Sequence, residues 1–172
     1  LGLTAEQQRL LEQLHSDFVR AGAKLKGADR ERFAQINERL AALMTAFGQN
    51  VLADESAYRL TLATEADMAG LPAFVRDAAR QAAADRGLPG AVITLSRSLI
   101  VPFLTFSQRR DLREAAWRAW TTRGEHDGPT DNRGVIREIL ELRAEQSALL
   151  GYPSFADYAL ANTMARTQAS VM

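Results

Sequence analysis

Apolar residues recur every three or four positions through most of this chain, and that period predicts helices. Thr4 with Gln7 has the form of a capping box and opens a helix to about Arg20, with Leu10, Leu11, Leu14 and Phe18 as its expected buried face. Gly22 and Gly27 bracket the turn that follows. A longer helix then starts near Asp29 and keeps Phe33, Ile36, Leu40, Leu43, Met44, Phe47 and Val51 in period. At 1.5 Å per residue it would be roughly 35 Å long. The two helices are expected to form an antiparallel hairpin.

The period changes at Tyr58, where Tyr58, Leu60 and Leu62 alternate with Arg59 and Thr61 as in a half-buried strand. Pro72 opens an alanine-rich helix through Arg86, with Phe74, Val75, Ala78, Ala79, Ala82 and Ala83 on its narrow face, and Gly87 stops it. Val92, Ile93 and Leu95 read as a second strand paired with the first, in an orientation the pattern leaves open. Pro102 is expected to interrupt an apolar loop, and Ser107 to cap a helix bearing Leu112, Ala116, Trp117 and Trp120. Gly124 to Thr130 reads as a loop.

The strongest signal lies between Asp131 and Met164. Asp131 can N-cap a helix with an apolar stripe of Val135, Ile136, Ile139, Leu140, Leu149 and Leu150. Gly151 ends it, Tyr152 and Pro153 turn the chain, and Ser154 caps a shorter segment carrying Phe155, Tyr158, Leu160 and Met164. The fold class is therefore mainly α: a helical bundle with a short two-stranded β element inserted.

Composition narrows the function. At 172 residues the chain is one domain or part of one, and a compact chain of this size removes about 70% of its unfolded surface from water. Twenty-one Lys and Arg balance 21 Asp and Glu, which argues against a general binder of nucleic acid or anionic membranes. No cysteine is present, so there is no disulfide framework and no thiolate, as suits a reducing, cytoplasmic setting. No apolar run reaches the roughly 20 residues a membrane span requires. The chain starts at Leu1 and stops one turn after Thr167, a good helix cap, so both ends read as cut.

A resemblance then enters on particular residues. The runs Asp131-Asn132-Arg133, Ile139-Leu140-Glu141-Leu142-Arg143-Ala144-Glu145 and Leu149-Leu150-Gly151-Tyr152-Pro153-Ser154-Phe155-Ala156-Asp157-Tyr158 resemble the thimet oligopeptidase-like zinc metallopeptidases. Within that family they are most similar to the bacterial peptidyl-dipeptidases (dipeptidyl carboxypeptidases) and the oligopeptidase A branch. Upstream, Phe47-Gly48-Gln49-Asn50-Val51-Leu52, Ala69-Gly70-Leu71-Pro72 and Pro102-Phe103-Leu104-Thr105-Phe106 fit in the same order. The resemblance covers only the family's helical part ahead of the catalytic region. It implies that residues 1–172 are a single N-terminal helical region of a larger enzyme, which cleaves short peptides in a deep channel partly walled by these helices.

The family's chemistry needs His-Glu-x-x-His, two histidines one helical turn apart on one zinc ion, with the Glu activating a bound water. This chain has only His15, mid-helix and read as a surface or boundary residue, and His126, in a loop of Gly and Pro and read as a turn residue. None of residues 1–172 is expected to be catalytic, cofactor-binding or metal-ligating. Zinc is expected in the intact parent. Ser96, Ser98 and Ser107 have no nearby base, and Gly87, Gly90, Gly124 and Gly128 are turn glycines rather than a phosphate loop.

The row Glu138, Glu141 and Glu145, with Arg137 and Arg143 beside it, reads as an exposed ion-pair ladder. Trp117 and Trp120 read as helix-packing core, and Tyr152 and Tyr158 take no catalytic role. The expected partners are the remaining catalytic part of the same polypeptide and short peptides, with no nucleic acid and no membrane. Phe155, Tyr158, Leu160 and Met164 would have too few partners in the isolated chain, so it would self-associate there or leave that stretch mobile. The alternative reading is a free-standing, non-catalytic helical interaction module.

Overall fold

The structure, a computed structural model, describes residues 2–172. It contains seven α-helices and one two-stranded sheet: α1 (Ala5–Arg20), α2 (Gly27–Ala57), β1 (Leu60–Leu62), α3 (Ala73–Ala84), β2 (Ala91–Ile93), α4 (Arg97–Phe106), α5 (Arg110–Thr121), α6 (Arg133–Leu149) and α7 (Phe155–Leu160). The fold is mainly α, as the periodicity implies. No described helix is long and apolar enough to cross a membrane. The residues divide into two compact units, one of residues up to Thr45 with Ile136–Met172, the other Ala46–Val135.

The second unit holds the larger core. β1 and β2 pair antiparallel, Leu60 opposite Ile93 and Leu62 opposite Ala91. All of β2 is buried, as its unbroken apolar run requires. Around it close Val75 and Ala79 from α3, Leu99, Ile100 and Phe103 from α4, and Ala116 from α5. Small alanines on α3 let that helix approach the sheet closely.

Pro102 lies inside α4, which corrects the expected loop. A proline in a helix interior removes a hydrogen bond and costs about 3 kcal/mol. Here the carbonyl it leaves belongs to exposed Ser98, where water can bond it, while Leu99, Ile100 and Phe103 bury together and more than offset the loss. Ser107 is also corrected. It ends α4, and its Oγ accepts the Arg109 N–H at 3.2 Å instead of capping the first turn of α5.

In the first unit α2 and α6 run antiparallel. Arg32 donates to both carboxylate oxygens of Glu145 (2.6 and 2.7 Å), Arg39 to both of Glu138 (2.5 and 2.8 Å), and Gln146 Nε2 to Asn37 Oδ1 (2.6 Å). The pairs step seven residues forward on α2 and seven back on α6. This register turns Ile139, Leu142, Gln146 and Ser147 inward and leaves Ile136 and Leu140 exposed, so the expected stripe of α6 is displaced by part of a turn.

Gly151, at φ +81°, closes α6 in a Schellman motif: the Tyr152 N–H donates to the Ser147 carbonyl and the Gly151 N–H to that of Ala148. Ser154 then caps α7 through the Asp157 N–H. Phe155, Tyr158 and Leu160 are half-buried. The Arg20 guanidinium stacks 4.2 Å over the Tyr158 ring and donates to the Tyr158 carbonyl at 2.7 Å, while Arg143 covers Phe155 at 4.7 Å. Two arginines thus supply partners that the apolar pattern of this corner does not. Met164 stays fully exposed.

The largest correction concerns α1. Its capping box forms as expected, but among the described residues the helix buries none: Leu10 is 58% exposed and Phe18 68%. The expected hairpin interface does not cover this face. α2 also runs further than expected, 31 residues or about 46 Å.

Candidate functional site

The most connected polar cluster is built on one face of α2, where Phe47, Asn50 and Asp54 recur at i, i+3 and i+7. Gly124 follows α5 at φ +69°, a left-handed conformation that aims its N–H at Asp54 Oδ2, 2.6 Å away. His126 donates from Nε2 to the same oxygen at 2.8 Å, and the Thr130 hydroxyl donates to Oδ1 at 2.5 Å. Asn132 is 1% exposed. Its side-chain nitrogen donates to the Phe47 carbonyl (3.2 Å), its Oδ1 accepts from Asn50 (2.9 Å), and its backbone N–H donates to the Gly124 carbonyl (2.8 Å). The loop from α5 to α6 is thereby fastened to α2 at both ends.

The charges follow. Burial pushes the Asp54 carboxyl up, but hydrogen bonds from Thr130, Gly124 and His126 outweigh it and hold it below its ordinary value. The bond to Asp54 raises the His126 imidazole. Asp131, which accepts the Arg133 N–H in the first turn of α6, is held down to about 2 by the Arg133 guanidinium. A cavity of 330 Å³ borders the cluster, lined by Asp54, Tyr58, Leu95, Ala119, Arg123 and His126 among others. Arg123 pairs with Glu55 and stacks 3.7 Å over Trp120.

Chemically the cluster is saturated. The carboxylate takes three donors, and the free side of the imidazole, Nδ1, faces the Asp127 carbonyl at 3.5 Å rather than a hydroxyl. A nucleophilic triad needs a serine or threonine hydroxyl on that side. His126 is therefore a loop-fastening residue with a definite partner, more than the turn residue its surroundings in the sequence suggest. Nothing short-range links residue 54 to 124–132, so pattern reading misses Asp54, Thr130 and Asn132.

The other candidates disperse. His15 is exposed on α1. Among the described residues no group of three His, Cys, Asp or Glu side chains could hold a metal ion. These residues do not fit a zinc site. Glu138 and Glu145 of the acidic row form ion pairs, with arginines of α2 rather than with Arg137 and Arg143.

A second concavity, of 470 Å³, lies on α5, where Arg110, Arg113, Glu114 and Trp117 recur at i, i+3, i+4 and i+7 beside Leu104 of α4. Trp117 is 53% exposed there, so of the two tryptophans only Trp120 packs against the core.

Residues 103–172 match peptidase family M3. The chain is 36% identical over 168 residues to dipeptidyl carboxypeptidase of Escherichia coli, a match covering 97% of this chain and 25% of that protein. It is 35% identical over 170 residues to oligopeptidase A of Haemophilus influenzae (96% and 25%). A probable cytosolic oligopeptidase A of Arabidopsis thaliana is 31% identical over 173 residues (96% and 24%). The chain spans about a quarter of the length of the curated relatives it matches.

Proposed function

This chain belongs to peptidase family M3, and from that membership we propose that residues 1–172 are one helical region of a longer zinc-dependent oligopeptidase or peptidyl-dipeptidase. The region is N-terminal and non-catalytic, and forms part of the wall of a channel in which short peptides are hydrolysed. One observation carries the reading: nearly the whole chain matches about a quarter of an oligopeptidase A and of a dipeptidyl carboxypeptidase.

The face of α1 supports the same reading. A capped amphipathic helix with Leu10, Leu11, Leu14 and Phe18 open to solvent is stable in a protein only if something covers it. The remaining catalytic part of the polypeptide is the proposed cover, and without it the same face drives self-association. Zinc and its ligands belong to that remaining part, and the residues of this chain shape the channel rather than carry out hydrolysis. The cysteine-free sequence fits a reducing, cytoplasmic location for the longer protein.

The test is to express the longer reading frame and the 172-residue chain side by side. The longer protein is expected to retain zinc through dialysis and to hydrolyse blocked short peptides, the short chain to do neither. Hydrolysis by the short chain, lost on changing His15 or His126, would overturn the proposal.

A further inference from the structure

We infer that the α5 concavity is a binding site for the carboxylate terminus of a peptide ending in an apolar or aromatic residue. The helical period places Arg110, Arg113 and Trp117 on one side of α5, so two guanidiniums and an indole line the same space. The Arg113 guanidinium is held in place by donating to the Ser107 carbonyl. Arg110 has no hydrogen-bond or ion-pair partner among the described residues, although acidic side chains stand nearby. Those are engaged elsewhere: Asp111 accepts from Arg109 (2.7 Å), and Glu114 from Arg118 (2.8 Å). The concavity therefore carries net positive charge, with one guanidinium fixed and one free to close on a ligand.

Its remaining surface is apolar. Trp117 is half-exposed, and Leu104 of α4 lines the same space. A carboxylate accepts hydrogen bonds from a guanidinium in a bidentate, planar arrangement, and an adjacent ring or branched side chain stacks on an indole. A free C-terminal residue presents both groups on one carbon. The volume of 470 Å³ suits one or two residues rather than a folded domain. That the ligand is a peptide rests on the peptidase reading, whereas a carboxylate beside an apolar group rests on the concavity alone.

The probe is N-acetyl-Ala-Phe with a free carboxylate, titrated into the 172-residue chain while the Trp117 indole N–H resonance is followed. Saturation is expected with a Kd on the order of 1 mM. The C-terminal amide should bind about tenfold more weakly, as expected for losing one charge-assisted contact. Arg110→Gln, a change at a side chain with no internal partner, should cost about tenfold for the acid and nothing for the amide. Glu114→Gln should tighten the acid.

Equal binding of acid and amide, or no shift of the Trp117 resonance at about 10 mM acid, overturns the inference. Binding of an amidated acidic peptide as tightly as the acid would reassign the concavity to an internal acidic segment and overturn the terminal assignment. Hydrolysis of a longer N-blocked peptide by the longer protein is a separate readout. Hydrolysis without binding at α5 sinks this site and leaves the peptidase reading standing, and binding without hydrolysis does the reverse.

Discussion

The side-chain nitrogen of Asn132 stands 2.7 Å from the position a Cβ on Gly124 would take. Gly124 is thus required twice, for its left-handed backbone and for the room it leaves a buried amide. Gly124→Ala should lower stability by about 2–4 kcal/mol, from backbone strain and displacement of Asn132. Asn132→Ala removes the clash but strands Asn50 and the Phe47 carbonyl, at about 1–3 kcal/mol. The double variant should cost clearly less than the two single losses together, because the sites share one space. Urea midpoints of the three variants measure this, and strict additivity would contradict the geometry.

Asp54 gathers the backbone of Gly124, the hydroxyl of Thr130 and the imidazole of His126 onto one carboxylate. Asp54→Ala should cost about 2–3 kcal/mol and release residues 122–132 to fast hydrogen exchange, while β2 stays protected. Uniform loss of protection through the second unit would mean that Asp54 supports the core instead.

The same pair sets a pH window. His126 is raised above its ordinary 6.5, so its contribution is complete below about pH 6.5 and is lost as pH rises through the folded value. Asp54 is lowered from 3.8, so its contribution is present above that value and is lost as pH falls through the lower folded one. Thermal midpoints should be highest between about pH 4 and 6.5 for this pair and should decline on the alkaline side. His126→Gln keeps a donor without the charge and should flatten the alkaline decline. An unchanged slope in that variant would show that another group titrates.

Trp117 and Trp120 should separate cleanly. Trp120→Ala removes an indole that packs on the core and carries Arg123, and should cost about 3 kcal/mol or more, while Trp117→Ala should stay within about 0.5 kcal/mol. Acrylamide should quench Trp117 first. Equal quenching of both would refute the assignment.

The α1 face gives a test of association. Leu10→Glu with Leu14→Glu should leave the unfolding midpoint of a dilute sample within about 1 kcal/mol while reducing concentration-dependent sedimentation. A large loss of stability would mean that the face is buried within the chain.

Local chemistry explains which features the sequence discloses. Thr4 and Gln7, Ser154, Gly87 and Gly151 act within a few residues, so the ends they mark are where a reading of caps and turns places them. The strand pair follows from a change of period at Tyr58. What fails is everything decided by a distant partner. Pro102 reads as a breaker until the burial of Phe103 is known. The α1 stripe reads as core because amphipathicity reports that a helix should be covered, not that it is. In the candidate site, Asp54 and His126 are 72 residues apart, and Trp117 looks as apolar as Trp120 until α5 is seen to turn it outward.

The division into two units also bears on the order in which the chain folds. Ala46–Val135 is one uninterrupted stretch whose sheet and helices lie close along the sequence, whereas the other unit must join residues up to Thr45 with Ile136–Met172. Closing that gap through a disordered chain costs about 4 kcal/mol of loop entropy beyond a fixed term, and a nucleus of local pairings avoids the cost. The β1–β2 and α3–α5 region should then carry the high φ-values, and the Arg32–Glu145 and Arg39–Glu138 pairs should form after the rate-limiting barrier. Substitutions at those two pairs would speed unfolding and leave the refolding rate almost untouched.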